Sequence, residues 1–210
     1  MIVSAENLRG LHKSAGIQII KSNHPLITTL ILEINKLSRR KEVVLIAIDG
    51  VGGAGKTTLA ELLMSEIENS VIVQLDDFYL PTIQAADLLR LKEQVLLPLY
   101  NHQEAKYQKY EWKTNSSSDW HILKPEGTFI FEGVYALDKN IRGYYDLKIW
   151  LDYPADLGLK RGITRDIKRD GVDNTDKWKN IWMPLEKKYK TEQEPNKSAD
   201  YIIDGTKLLP

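Results

Sequence analysis

The residues with the clearest chemical meaning lie in one short segment, GVGGAGKT at residues 50–57. Its spacing matches G-x-x-x-x-G-K-[S/T], in which glycines let a loop turn so that its N–H groups surround a phosphate. An apolar run precedes the segment and a helical pattern follows it, which is the context that such a loop requires. We therefore predict a phosphate-binding loop with nucleotide contacts at Gly50, Gly52, Gly53, Ala54, Gly55, Lys56, Thr57 and Thr58.

Two residues of this loop carry specific chemistry. Lys56 is expected to reach the β- and γ-phosphates, and the hydroxyl of Thr57 is expected to ligate Mg²⁺. The helix that begins near Lys56 adds the positive end of its dipole. These features predict a bound nucleotide with β- and γ-phosphates and Mg²⁺. A switch GTPase should show D-x-x-G and N-K-x-D motifs; the segment after VIVQL lacks the first, and NKSAD (196–200) has one residue too many for the second.

A pair of carboxylates stands about twenty residues downstream, in QLDDFYLP (74–81). Because successive strand residues point to opposite faces, we expect at most one of Asp76 and Asp77 to face the γ-phosphate. A carboxylate there would accept the proton of an attacking hydroxyl, or would hold the metal through water. The alternative is a helix cap or turn, for which aspartate is common. We favour catalysis, because a phosphate loop of this kind needs a partner carboxylate.

The elements that must position these groups alternate along the chain. Hydrophobic patterning predicts strands at 43–49, 71–76, 128–133, 145–152 and 201–205, and helices at 27–40, 57–68, 85–96 and 155–170. Such alternation predicts a doubly wound α/β fold. Residues 115–119 and 171–176 are predicted to be loops.

Composition limits the classes of partner. The 210 residues suit a single domain, and 29 basic residues balance 29 acidic ones, which argues against nucleic acid or an anionic membrane as a partner. The chain contains no cysteine and no apolar leader at its start, and we therefore expect a cytoplasmic protein.

Several segments together resemble a known family. GVGGAGKTT, QLDDFY, FEGVYAL (131–137), the arginine-bearing segment 144–171 and ADYIIDG (199–205) follow one another as in the uridine kinase group of P-loop kinases, which is related to phosphoribulokinase and bacterial pantothenate kinase. The resemblance covers residues 43–205. It implies a P-loop NTPase three-layer αβα sandwich with a mostly parallel central sheet and a helical lid at about 155–176. Residues 41–210 would form the kinase domain. Residues 1–40 would be a partly helical extension. This extension could serve as an interface in a homo-oligomer.

The resemblance also implies roles for individual residues. Asp76 matches the catalytic carboxylate, and Tyr79 matches an aromatic residue that lines the acceptor pocket. Glu132 matches an acid near the metal, although it would also suit an ordinary strand end. Arg161 and Arg165 match arginines of the lid that offset the charge of the transferring phosphoryl group. The alternative for these two arginines is a solvated, charged helix face.

The acceptor side departs from the family pattern. The segment after Tyr79 lacks the family's nucleoside-holding motif, and the stretch up to Pro98-Leu99-Tyr100 is shorter than expected. Asp77 stands where the family often has serine. We predict substrate contacts from Asp77, Tyr79, Tyr100 and His102, with Lys106 and Tyr107 as further candidates.

These observations together predict a small-molecule kinase. It would transfer a phosphoryl group from ATP, with Mg²⁺, to a hydroxyl of a small molecule, and a nucleoside such as uridine or cytidine is favoured. Two alternatives stay open: a pantothenate-like or sugar acceptor, and a nucleotide-binding module without acceptor phosphorylation. The kinase is favoured because binding ATP alone would not need the carboxylate of Asp76.

Overall fold

A parallel sheet forms the centre of the computed structural model, which describes residues 25–208. Within these residues lie nine strands, β1 (Val43–Gly50), β2 (Ser70–Gln74), β3 (Tyr79–Leu80), β4 (Ala85–Ala86), β5 (Ala105–Glu111), β6 (Ser116–Leu123), β7 (Gly127–Glu132), β8 (Leu147–Asp152) and β9 (Tyr201–Asp204). Five of them form the central sheet in the order β2–β7–β1–β8–β9, and all neighbours in it are parallel. The carboxyl ends of these strands therefore meet at one edge of the sheet.

Helices pack on both faces of this sheet. The helical elements are α1 (Pro25–Ser38), α2 (Lys56–Glu66), α3 (Leu88–Leu91), α4 (Leu97–Tyr100), α5 (Ala155–Asp170), α6 (Thr175–Lys177) and α7 (Met183–Gln193). All eight residues of β1 are buried, because this central strand is covered on both faces. Alternate residues such as Val44 and Ile46 belong to the apolar core that includes residues of α1 and α2, whereas Val43 and Leu45 belong to the core of the other face, which includes Tyr189 of α7. The predicted αβα sandwich is confirmed.

The antiparallel hairpin of β5 and β6 stands apart from the central sheet. A 3₁₀ turn, Leu75–Phe78, follows β2 and packs against this hairpin. The rings of Phe78 and Tyr107 are stacked with centroids 5.0 Å apart. The hairpin is thus fixed to the end of β2, where the two adjacent aspartates lie.

Three local predictions needed correction. Residues 116–119 are not a loop but part of β6, because β6 pairs with β5 as far as Glu111 and Ser116. Strand β2 ends at Gln74 rather than at residue 76, since the chain turns at once into the 3₁₀ segment. The helix predicted at 85–96 starts only at Leu88 and passes through a π-helical turn, Lys92–Leu96, before α4. Pro98 has no N–H for the regular helical bond, which suits a disturbed turn just before it.

The structure describes only part of the predicted amino-terminal extension. The predicted extension 1–40 includes residues 1–24, which lie outside the described residues. Its remaining part forms α1, whose Ile27, Leu30 and Ile34 are buried in the core. The domain boundary near residue 40 stays a prediction. Across residues 25–208, no helix has both the length and the apolar character needed to cross a membrane.

Candidate active site

The predicted phosphate loop lies at the carboxyl edge of the sheet. Gly50 ends β1, and α2 begins at Lys56, directly after Gly55. No side chain caps the amino end of α2, so its first N–H groups are not engaged by a capping side chain and can face an anion. Gly53 has φ of +76°, and a Cβ there would lie 2.3 Å from the carbonyl oxygen of Gly158. The close approach of α5 therefore requires glycine at this position.

The side chain of Lys56 folds back over the first residues of the loop. Its Nζ donates hydrogen bonds of 2.9 Å to the carbonyl oxygens of Gly50 and Val51, and its side chain is buried. These two bonds fix the ammonium group beside the loop N–H groups. A cation preorganised in this way can bind phosphate oxygens without a large rearrangement.

Thr57 and Glu132 form the candidate metal site. The Thr57 hydroxyl donates to Oε1 of Glu132 at 2.9 Å, and Gln74 Nε2 donates to the same oxygen at 3.2 Å. Burial raises the pKa of Glu132, while the Lys56 ammonium opposes this effect. The Thr57 hydroxyl in the first turn of α2 and the Glu132 carboxylate at the end of β7 are hard oxygen ligands, so the two residues fit Mg²⁺ chemically. Thr58, also predicted to contact nucleotide, is exposed in the first turn of α2.

The two adjacent aspartates differ sharply in environment. Asp76 is exposed, and its charge raises the pKa of both Glu132 and Glu186, so it lies near both carboxylates. Asp77 is buried and forms an ion pair with Lys109 of β5, with Nζ 3.1 Å from Oδ2. This contact lacks the geometry of a well-formed hydrogen bond. Burial raises the pKa of Asp77, and Lys109 opposes the rise. Asp76 thus faces the crevice, while Asp77 fastens the hairpin.

Tyr79 lies in an aromatic cluster that the sequence did not identify. Its ring centroid is 4.2 Å from that of Trp112 and 5.3 Å from that of Tyr110. Its hydroxyl donates to Oε1 of Gln84 at 2.7 Å. Trp112 is 46 % exposed although it contacts two aromatic rings. We name Tyr79, Tyr110 and Trp112 the aromatic cluster; its first member, Tyr79, lies three residues after Asp76 along the chain.

Tyr100 and His102 lie elsewhere. Nδ1 of His102 is 3.8 Å from a carboxylate oxygen of Glu42, which precedes β1. The ring of Tyr100 packs edge-on against Tyr144, three residues before β8 begins. Both contacts are at the amino ends of strands, and the eight residues of β1 put the phosphate loop about 25 Å away. We therefore leave both residues out of the acceptor site proposed below.

The two weaker acceptor candidates have partners of their own. Tyr107 is buried in the core, and Lys106 lies over the ring of Trp120 with Nζ 4.7 Å from its centroid. Neither residue has a contact that places it with Asp76. Their positions suit the packing of the hairpin.

The predicted lid arginines lie on α5 but make local contacts. The guanidinium of Arg161 lies over the ring of Tyr153, 5.3 Å from its centroid. Arg165 pairs with Asp166 at 2.9 Å and is about half exposed. In α5 it is the glycines, Gly158 and Gly162, that pack against the phosphate loop and Trp178. The roles of the two arginines in phosphoryl transfer stay predictions.

Two further acidic residues near the loop were missed by sequence reasoning. Asp49 is fully buried and accepts bonds from Gly50 N–H at 2.6 Å, Leu137 N–H at 2.8 Å and the Tyr189 hydroxyl at 2.6 Å. Burial raises its pKa to about 6 in spite of these bonds. Glu186 of α7 accepts a bond from the N–H of Gly52. Only Asp49 gave a signal in the sequence, as a carboxylate within the apolar run before the loop.

Comparison with known proteins settles the family. The model of the phosphoribulokinase / uridine kinase family matches residues 76–207, more than half of the chain. The chain belongs to this family. Uridine kinases of several Staphylococcus aureus strains are 32 % identical over 154 residues, which cover 62 % of this chain and 72 % of theirs. The predicted resemblance is confirmed, and family membership supports a small-molecule kinase.

Solved structures support the fold. A protein from Bacillus stearothermophilus described as a possible uridine kinase superposes with a TM-score of 0.59 at 22 % identity, covering 84 % of this chain and 100 % of that one. A candidate fructose transport system kinase from Silicibacter sp. TM1040 gives 0.62 at 16 % identity, covering 84 % and 98 %. At these identities, the likeness concerns the fold alone.

Proposed function

We propose that the protein transfers the γ-phosphoryl group of ATP, with Mg²⁺, to a hydroxyl of a small molecule, most favourably a nucleoside. One observation carries the proposal: an exposed carboxylate, Asp76, lies near the partly buried Thr57–Glu132 pair and Lys56 at the rim of one phosphate loop. A protein that only bound nucleotide would not need an accessible carboxylate at this place.

The chain's own groups suggest how the transfer would proceed. The oxygen of the acceptor hydroxyl attacks the γ-phosphorus, the bond to the bridging oxygen of ADP breaks, and Asp76 takes the hydroxyl proton. Lys56 would stabilise the charge on the phosphate oxygens, and Arg161 and Arg165 would add to it if α5 closes. Thr57 and Glu132 would hold Mg²⁺, which neutralises phosphate charge when bound.

The aromatic cluster supports an acceptor with an apolar ring face. Tyr79 and Trp112 present ring surfaces beside the turn that carries Asp76, and Trp112 is partly open to solvent. The nearby cation, Lys109, is already paired with Asp77. We favour an uncharged nucleoside over a carboxylate such as pantothenate, because the pairing of Lys109 with Asp77 leaves that cation engaged. A sugar with an apolar face stays a second choice.

A mass-spectrometric screen tests the proposal. The protein is incubated with ATP, Mg²⁺ and separate acceptors: uridine, cytidine, deoxynucleosides, pantothenate and several sugars. We expect a phosphorylated nucleoside, with turnover about a hundredfold to ten-thousandfold lower in Asp76→Asn. Asp119→Asn, at an exposed acid of the hairpin, serves as the matched control and should match the wild type.

Each outcome of the screen is informative. Product from a sugar or pantothenate alone would keep the chemistry and overturn the nucleoside assignment. Tight ATP binding with no product from any acceptor would favour a nucleotide-binding module instead. Full activity of Asp76→Asn would remove Asp76 as the base.

A further inference from the structure

A carboxylate from the distant helix α7 holds an N–H group of the phosphate loop. Oε2 of Glu186 accepts a hydrogen bond of 3.0 Å from the backbone N–H of Gly52, 134 residues earlier in the chain. Gly52 directly follows Gly50 and Val51, and the carbonyl oxygens of these two residues accept hydrogen bonds from Lys56. The same short stretch is therefore fixed on its carbonyl side by Lys56 and on its N–H side by Glu186.

Packing around Gly52 leaves little freedom for this contact to shift. A Cβ at Gly52 would lie 2.5 Å from the ring of Trp178 and 2.9 Å from Oε1 of Glu186. Trp178 in turn donates from Nε1 to Asp166 of α5 at 2.8 Å and packs against Gly162 of the same helix. Trp178 thus joins the phosphate loop to the predicted lid helix, and Glu186 lies beside it at Gly52.

A second contact ties the same helix to the root of the loop. Tyr189, one turn after Glu186, donates its hydroxyl to Asp49 at 2.6 Å, and Asp49 accepts from the N–H of Gly50. Helix α7 therefore holds the loop at two points, Gly52 and, through Asp49, Gly50. This arrangement is more than the packing of an apolar helix face.

The Glu186 carboxylate is partly desolvated but not sealed off. It lines a cleft of about 1,040 Å³ together with Val51, Gly52 and Trp178. Burial raises its pKa, Lys56 and the Gly52 N–H oppose the rise, and Asp76 adds to it. Its proton can thus exchange through the cleft, and its state is coupled to the groups proposed for phosphoryl transfer.

We propose that Glu186 is a positioning residue. Through its hydrogen bond with the Gly52 N–H, it fixes the position of the first residues of the phosphate loop, 50–52, for phosphoryl transfer. The proposal rests on the proposed function for its catalytic consequence, but the contact itself does not. What matters is an acceptor oxygen at Gly52, because misplacing the loop by about 1 Å costs up to about a hundredfold in rate. Glutamine can keep this bond, whereas alanine cannot.

The contact is tested directly by nuclear magnetic resonance. The sequence has a single Val–Gly step, Val51–Gly52, so labelling valine carbonyls with ¹³C and glycine nitrogens with ¹⁵N isolates one amide signal. In the wild type, we expect this signal to move with pH as Glu186 ionises. In Glu186→Gln, the pH-dependent shift disappears but slow exchange with solvent is kept; in Glu186→Ala, both are lost.

Kinetics supply the second readout. We expect Glu186→Ala to lower kcat by about tenfold to a hundredfold while KM for ATP changes less than about threefold, since the loss falls on the transition state. Glu186→Gln should recover kcat to within about threefold of the wild type. Glu192→Ala, at an exposed acid of the same helix, should leave both parameters unchanged.

The two ways of failing are separable. A Gly52 signal that ignores both pH and the Glu186→Ala change would overturn the positioning role, whatever the activity. Equal impairment of the glutamine and alanine variants would also overturn it, because charge rather than an acceptor oxygen would then be required. A wild type that binds no nucleotide, with the Gly52 signal behaving as expected, would count against the proposed function alone.

Discussion

The donor side and the acceptor side of the candidate site are built in different ways. The donor side is one continuous segment, residues 50–57, in which backbone groups and Lys56 are arranged between β1 and α2. The acceptor side gathers side chains from separate elements: Asp76 from the turn after β2, Tyr79 from β3, Tyr110 from β5 and Trp112 just beyond it. One side depends on local conformation, the other on how a hairpin docks.

This difference explains why the two sides can change independently. A loop that binds phosphate by backbone N–H groups has few alternative sequences, since its glycines and lysine serve geometry common to all nucleotides. A hairpin that stands outside the central sheet can alter its ring surfaces without disturbing β1 or α2. A shared donor side with a variable acceptor side is therefore the expected pattern for a kinase family with several acceptors.

The largest expected effect tests the donor side. Lys56→Ala should lower phosphoryl transfer by about a hundredfold to a thousandfold for every acceptor, because it removes a preorganised cation from the phosphate oxygens. The measurement is the initial rate of product formation with each acceptor from the screen. Lys36→Ala, at an exposed lysine of α1, is the control and should have no effect. A loss confined to one acceptor would break the division between the two sides.

Sequence reasoning predicted the fold best where it depends on local order. The strands and the phosphate loop follow from periodicity and from eight consecutive residues, and Thr57 and Glu132 do lie together. It missed Trp112 and Glu186, because each acts through a contact with residues more than thirty positions away. Nothing in the local pattern around Glu186, in a charged helix, distinguishes it from its exposed neighbours.

An effect of intermediate size is expected on the stability of the protein, through the buried Asp49 just before the phosphate loop. Burial raises the pKa of Asp49 from 3.8 to about 6, so the folded state binds its proton more tightly than the unfolded state does. The free energy of unfolding should therefore fall as the pH rises from about 4 to about 6, by about 3 kcal/mol from this residue. Urea unfolding at several pH values measures it. Asp49→Asn should remove this part of the pH dependence of the free energy of unfolding.

A second variant sharpens the assignment to Asp49. The hydrogen bond from the Tyr189 hydroxyl lowers the pKa of Asp49, so Tyr189→Phe should raise that pKa further. The free energy of unfolding should then continue to fall above pH 6. Asp77, Glu132 and Glu186 also have raised pKa values and give slopes of the same sign. An unchanged difference between wild type and Asp49→Asn across this pH range would rule out the Asp49 contribution.

The smallest expected effect tests the acceptor side and uses two tryptophans of one hairpin region. Trp112 contacts Tyr79 and is 46 % exposed, whereas Trp120 is 50 % exposed and contacts Lys106. Trp112→Ala should raise KM for the acceptor about fivefold, because an aromatic contact contributes about 1 kcal/mol, and KM for ATP should stay unchanged. Trp120→Ala removes equal bulk at similar exposure and should leave both constants unchanged. Equal effects of the two changes would mean that the hairpin acts as a scaffold, and acceptor choice would then have to come from the turn that carries Asp76.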